Sequence, residues 1–249
     1  MKAIHYRLAI ATVLVVASAS AVAGTPRARS AAAGVDSTIT LLGTPVADVA
    51  PMPYVSAHAS AGFSHNDALP LVNTGGISAG ALTVTTSWSN VGGAVNNTST
   101  AQTDNAGVSV AGLVSLALTD VDASASVAGG CPAGGLLDTG TTSIGSLTLS
   151  VLGLPVPLGA LPNPIPPNFN VTVPPTAGIA SAMIRLNEQL ASGDGAIVTS
   201  LDVNAAHVEL DLLDLLGQPT HVSLVVSSAS AKVDCRTDAI FDDGFNDPI

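Results

Sequence analysis

The sequence predicts an all-β fold, an antiparallel β-sandwich or open barrel of roughly ten strands with one Pro-rich extended loop. Three observations carry that expectation. Apolar and small polar residues alternate over several short runs, the pattern of a half-buried strand. Clusters of Gly, Asn, Asp and Pro punctuate those runs at Asn73–Gly76, Asn90–Asn97, Gly129–Gly135 and Ser192–Gly195. Helix-forming composition is missing: 249 residues contain only two Glu and two Lys, too few for a coiled coil or bundle.

Taken in order, the chain opens with a secretory signal pattern over residues 1–23. Lys2 and Arg7 form the positive start, Leu8 to Ala17 the apolar stretch, and Ala21-Val22-Ala23 a small-residue cleavage site. The apolar run is too short to span ~30 Å of hydrocarbon, so cleavage and export are expected rather than anchoring. No later stretch has the length and freedom from Gly and Pro that a transmembrane helix requires. Residues 24–34, small and polar, read as a flexible lead-in, and residues 35–236 as a single β-domain. Strand texture falls at Thr38–Leu42, Leu82–Trp88, Val108–Leu118, Leu147–Val151, Asn168–Val173 and Leu224–Val233. Only Leu186–Leu190 and Leu212–Leu216 offer a turn or so of helix. Trp88, the one tryptophan, is expected in a core otherwise built from Ala, Val and Leu.

Between Gly153 and Pro175 stand eight of the sixteen prolines. Proline cannot donate to a ladder and biases its predecessor toward extended backbone, so this segment predicts a long rigid connection within the domain. Cys131 and Cys235 are the only cysteines. With no CxxC spacing to suggest metal, an exported chain is expected to join them.

The hairpin from Ile179 to about Leu212 turns at Asp194-Gly195, residues that tolerate a tight reversal. Its second strand changes parity: Leu201 and Val203 are apolar at odd positions, Val208, Leu210 and Leu212 at even ones. An extra residue near Ala205-Ala206 would reset the alternation, so a β-bulge is predicted there.

From Ile179 onward the residues run Ile184-Arg185-Leu186-Asn187-Glu188-Gln189, then Val203-Asn204-Ala205-Ala206-His207-Val208, then Val225-Val226-Ser227-Ser228-Ala229-Ser230-Ala231 before Cys235. That order resembles the choice-of-anchor P family of exported bacterial proteins. The resemblance implies an extracellular or envelope-associated β-domain and brings no catalytic residues with it. Members differ in their sorting signals, and this chain departs from an LPxTG ending. Residues 237–249 form an acidic tail, Ala239-Ile240-Phe241-Asp242-Asp243-Gly244-Phe245, similar to "FxDGF" endings on secreted proteins of some Gram-negative bacteria.

Chemistry is thinly marked. After the parity change, His207, Glu209 and Asp211 share one face, and His221 on the following strand could oppose Glu209. His207, Glu209 and His221 form a candidate metal set, since imidazole with carboxylate suits zinc and similar ions; the competing reading is a solvated polar face. Asn187, Glu188 and Gln189 could line a ligand groove, or Glu188 could pair with Arg185. Ser64, His65 and Asp67 lie in a turn-like stretch and make no triad by adjacency, and no GxSxG elbow or phosphate-cradling motif occurs. No cofactor is expected. Seven cations against 18 acids, a net charge of −11, cannot build the basic face that nucleic acid requires, and a mean hydropathy of +0.51 sets the chain apart from disordered acidic tails. The expectation is an exported non-catalytic domain with a structural or adhesive role at or outside the bacterial envelope, as an envelope or extracellular-matrix component. The alternative is a metal-dependent or carbohydrate-active enzyme using the His207/Glu209/His221 neighbourhood.

Overall fold

A computed structural model describes residues 25–41, 43–110, 113–131, 135–213 and 219–236. The expected signal segment 1–23 and the acidic tail 237–249 lie outside the described residues. Thirteen strands follow one another: β1 (Arg27–Leu41), β2 (Thr44–Ala59), β3 (Phe63–Thr74), β4 (Ile77–Val91), β5 (Ala94–Val110), β6 (Val114–Gly130), β7 (Gly135–Ser143), β8 (Ser146–Val151), β9 (Leu154–Val156), β10 (Phe169–Val171), β11 (Ile179–Gly193), β12 (Val198–Leu213) and β13 (Pro219–Asp234). They form two antiparallel sheets stacked as a sandwich. The first runs β10-β11-β12-β13-β1-β2 and the second β3-β4-β5-β6-β8-β9, with β7 beside the far half of β6.

Several boundaries differ from expectation. Strand β1 begins at Arg27, so most of the 24–34 lead-in is strand inside a sheet, between β13 and edge strand β2. Its buried side chains there, Ala28, Ser30 and Ala32, are too small to give a hydropathy signal, yet they suit closely spaced sheets. Leu186–Leu190 belongs to β11 rather than to a helical turn; the second candidate turn begins inside β12 and runs on past the described residues. Val108–Leu118 is two strands, with Val110 paired to Val114 across a reversal. His65 and Asp67 sit in edge strand β3, not in a loop.

The turn clusters behave as their residues require. Gly75-Gly76 and Gly92-Gly93 each join adjacent strands in two residues, all four at positive φ, the backbone of a tight hairpin reversal. The Pro-rich segment runs from β9, last strand of one sheet, to β10, first strand of the other. It is thus a strap along that side of the sandwich, with Ile165 turned into the core.

Both sheets share a feature that sequence alternation only hinted at. In the first sheet the inward–outward pattern resets at Gly34-Val35 in β1, at Asn187 in β11, at Ala205-Ala206 in β12 and at Val226-Ser227 in β13. These positions are cross-strand neighbours, bracketed by the pairs Leu186↔Ala206, Glu188↔Asn204, Asn204↔Ser228, Ala206↔Val226 and Val35↔Val226. The register is the same on either side, so no residue is inserted. The bulge predicted in β12 is therefore replaced by a crease in which β1, β11, β12 and β13 reset together, while edge strand β2 keeps its parity and instead shifts register against β1 between Val35 and Ser37. Asn187 and Ser227, on alternate strands, take φ of 50° and 51°. A matching line crosses the second sheet through Ala81 (φ 45°), Asp104 and Asp120 (φ 50°).

The two creases meet. Ser227 Oγ donates to Val121 O at 2.9 Å and stands 3.0 Å from Thr103 Oγ1, which in turn lies 3.4 Å from Gly34 O. Farther along, Asn97 Nδ2 donates to Arg29 O and Lys232 O, and Ser99 Oγ donates to Ser230 O. Side chains of the second sheet thus satisfy carbonyls of the first, which requires the sheets to lie close. Trp88 is buried as expected. Cys131, just past β6, is bonded to Cys235, just past β13, with Cα atoms 5.4 Å apart, so the disulfide joins the two sheets at one end.

Two outcomes follow. A Cβ on Gly34 would stand 2.6 Å from Leu82 Cδ2 of the facing sheet, so Gly34→Ala should lower unfolding free energy by about 1–3 kcal/mol in urea titration through overpacking. The disulfide spans 104 residues, and Cys131→Ser with Cys235→Ser should cost about 2–5 kcal/mol in the same assay.

Candidate functional site

The densest polar chemistry lies on the outer face of the first sheet, and the crease assembles it. In an uninterrupted strand, residues three apart point to opposite faces. Because β11 resets at Asn187, Arg185 and Glu188 share the outer face; because β12 resets at Ala205-Ala206, so do Asn204 and His207. Glu188, with its side chain only 8% exposed, receives all three. Its Oε1 accepts from Arg185 Nη1 at 2.7 Å, and its Oε2 lies 2.9 Å from both Asn204 Nδ2 and His207 Nδ1.

From there a ladder continues down β12 and β13. His207 Nε2 stands 3.1 Å from Glu209 Oε1, which also accepts from Ser223 Oγ at 2.8 Å. His221 Nε2 reaches Glu209 Oε2 at 2.9 Å, and His221 Nδ1 reaches Asp211 Oδ1 at 2.8 Å. Ser181 Oγ of β11 closes the series on Asp211 Oδ2. Carboxylate and imidazole alternate throughout.

Burial alone would raise the Glu188 carboxyl, but hydrogen bonds from Asn204 and Arg185, with the charge and hydrogen bond of His207, bring it below its ordinary 4.5. Hydrogen bonds from Ser181 and His221 likewise lower Asp211. On the neighbouring part of the same face Asp36 is raised, first by burial and then by the nearby Asp48 carboxylate.

The three residues of the candidate metal set are thus neighbours, but as links in a line. His221 opposes Asp211, not Glu209, which faces Ser223. His207 pairs with Val225, four residues along β13 from His221, so the two histidine backbones are ~13 Å apart along the strand direction. Imidazoles anchored that far apart cannot both close to the ~2.0–2.1 Å a zinc bond needs. Among the described residues no group of three or more His, Cys, Asp or Glu is arranged to hold one ion.

The polar triplet has a double role. Glu188 faces outward to Arg185, while Asn187 and Gln189 hold the strap. Asn187 Nδ2 donates to Ile165 O at 2.8 Å, the Gln189 amide donates to Asn168 Oδ1 at 3.0 Å, and Gln189 Nε2 donates to Gly140 O of β7. At the hairpin turn, Asp194 Oδ1 accepts from the backbone amides of Val198, Ile197 and Ala196, which lower its pKa to about 2. Sequence reasoning missed Asn204, Ser181 and Ser223, whose roles depend on cross-strand register. The i, i+3 spacings Arg185/Glu188 and Asn204/His207 were the available signal, legible only once the parity change is placed in both strands.

The outer face of the second sheet is chemically different. Beyond its crease, cross-strand rows such as Asn66, Thr85, Thr100, Ser124 and Thr141, or Ser64, Ser87, Thr98, Ser126 and Thr139, carry hydroxyl and amide groups without charge.

No protein-family model matches the chain, and no curated protein sequence does. Among solved structures, the crystal structure of Neisserial surface protein A is similar at 10% identity over 85% of this chain and 97% of that one, with a TM-score of 0.16; so low a score carries no argument about fold or role. No described helix is long and apolar enough to cross a membrane, which leaves strand-based spanning unaddressed.

Because the folded Glu188 carboxyl lies below 4.5, its contribution is present above that pH and is lost as pH falls through the lower folded value. Glu188→Gln should cost about 1–3 kcal/mol at neutral pH and should flatten the acid limb of the stability–pH curve measured by denaturant titration. An unchanged acid limb would contradict the assignment.

Proposed function

We propose that the chain is an exported, non-catalytic β-domain with a structural or adhesive role at or outside the bacterial envelope, in keeping with its resemblance to the choice-of-anchor P family. One observation carries the reading: the richest set of ionisable groups is a ladder across an open sheet face, with all four ring nitrogens of its two histidines engaged by carboxylates. Catalysis asks for the opposite, a concave site in which a base or ligand is left free to meet substrate.

Two further features support it. The sheets are cross-linked at one end by Cys131 and Cys235, a bond that persists in oxidising compartments. The hydroxyl rows of the second sheet, bordered by Asp122, offer an uncharged patch on a chain of net charge −11, suited to contact with neutral material without electrostatic repulsion.

Fractionating a native host into cytoplasm, periplasm, outer membrane and medium tests the proposal. The expected result is a chain lacking residues 1–23, with its disulfide formed, outside the cytoplasm. A cytoplasmic, full-length, reduced chain would end it.

A further inference from the structure

We propose that the ladder on the first sheet is a pH-sensitive clasp that holds β11, and through it the proline-rich strap, most tightly in mildly acidic surroundings. The inference concerns the molecule's own mechanics and holds whichever partner the scaffold meets.

The argument begins with donors and acceptors. An ionised carboxylate only accepts, while a neutral imidazole carries one N–H and one lone pair; only the doubly protonated ring donates from both nitrogens. His207 presents Nδ1 to Glu188 at 2.9 Å and Nε2 to Glu209 at 3.1 Å. His221 presents Nε2 to Glu209 at 2.9 Å and Nδ1 to Asp211 at 2.8 Å. All four contacts are hydrogen bonds only when both rings hold both protons. Remove one proton from a ring, and one of its contacts becomes a lone pair against an anion.

Charge gives the same answer. Glu188, Glu209 and Asp211 bring three negative charges and Arg185 one positive, so two imidazolium ions make the ladder neutral. The nearest charged groups on the other strands of this face, Asp36 of β1 beyond Val225 in the His207 row and Asp48 of β2, are acids, so neither supplies a cation in place of the imidazoles. Arg185 and Glu188 face His207 from β11, and the uncharged Val225 lies opposite on β13; His221 meets Glu209 and Asp211 of β12, with Thr40 opposite on β1. At the acid end, the bonds that lower Glu188 and Asp211 keep those carboxylates ionised below their ordinary range. The clasp is therefore complete in a window bounded below by carboxylate protonation and above by loss of imidazole protons.

The strap is attached where the clasp is attached. Glu188 lies between Asn187 and Gln189, and both grip the strap: the Asn168 amide donates to Asn187 O at 2.8 Å, Asn187 Nδ2 to Ile165 O, and the Gln189 amide to Asn168 Oδ1. Strap residues Gly159 and Leu161–Ile165 also form one wall of an open pocket of about 470 Å³ against Thr142–Leu147, so a looser strap would change the shape of that pocket.

Amide hydrogen exchange on the disulfide-bonded mature chain tests this between about pH 5 and 8, the range in which imidazoles titrate, after correction for intrinsic exchange rates. The amides of Asn168 and Gln189 should lose protection several-fold as pH rises, while that of Cys131, bonded to Gly93 O beside the disulfide, should not. In His207→Gln the strap amides should no longer respond to pH, and in His65→Gln they should respond as in the parent. Equal pH dependence in the parent and His207→Gln, or none in the parent, would overturn the proposal. If His207→Gln does not fold, ¹⁵N spectra of the parent decide it: at the acid end all four ring nitrogens should be protonated, and an unprotonated one would refute the clasp.

Discussion

The in-phase reset of alternation across each sheet is the constraint on which the rest of this structure depends. A β-strand has a strict period of two, so one misplaced residue would send a whole run of apolar side chains to solvent. Here that change occurs at the same level in β1, β11, β12 and β13, where the register survives because each strand turns with its neighbours, and edge strand β2 follows through a register shift between Val35 and Ser37. The left-handed residues on alternate strands are Asn187 and Ser227 in one sheet and Ala81 and Asp120 in the other. Asn and Asp tolerate that conformation, whereas Ala adopts it at a cost of ~1–2 kcal/mol. Contacts between the creases, Ser227 with Val121 and Thr103, and Leu82 against Gly34, hold the strained positions in place.

The core follows from the same closeness. With 3% aromatic residues, the chain cannot fill a wide gap between sheets, and small side chains would leave voids unless the sheets approached. They do approach, to the point where Asn97 and Ser99 of one sheet hydrogen-bond to backbone carbonyls of the other. Glycine at 34 and 140 is then a matter of space rather than of φ: a Cβ at Gly140 would stand 2.8 Å from the Gln189 side chain. Buried hydroxyls and amides, which would be a liability in an oily core, act as ties between layers.

Charge is distributed with equal economy. Three of the five cations beyond residue 23, Arg185, Lys232 and Arg236, belong to the last three strands and their end, and Arg185 and Arg236 each meet a carboxylate. The ladder on the first sheet concentrates carboxylates and histidines, while the facing side of the sandwich presents rows of hydroxyls. A rigid scaffold with two such faces suits work outside the cell, where pH varies and disulfides last.

Fold class, hairpin turns, the buried Trp88, the cysteine pair and the parity change at Ala205-Ala206 were all legible in sequence, because each rests on local chemistry: alternation, turn residues, side-chain size and redox pairing. The same local signals pointed to His207, Glu209 and Asp211 on one face. What sequence could not decide was who stands opposite whom. Only the register of β12 against β13 places His221 across from Asp211, and only the shared crease turns Glu188 outward beside Arg185, His207 and Asn204. The small residues of Arg27–Gly34 gave no strand signal because alanine and serine differ little in hydropathy; their place inside a sheet, between β13 and β2, is set by neighbours about 30 to 200 residues away in the chain. Local composition determined that this chain forms strands, and long-range pairing determined what those strands assemble.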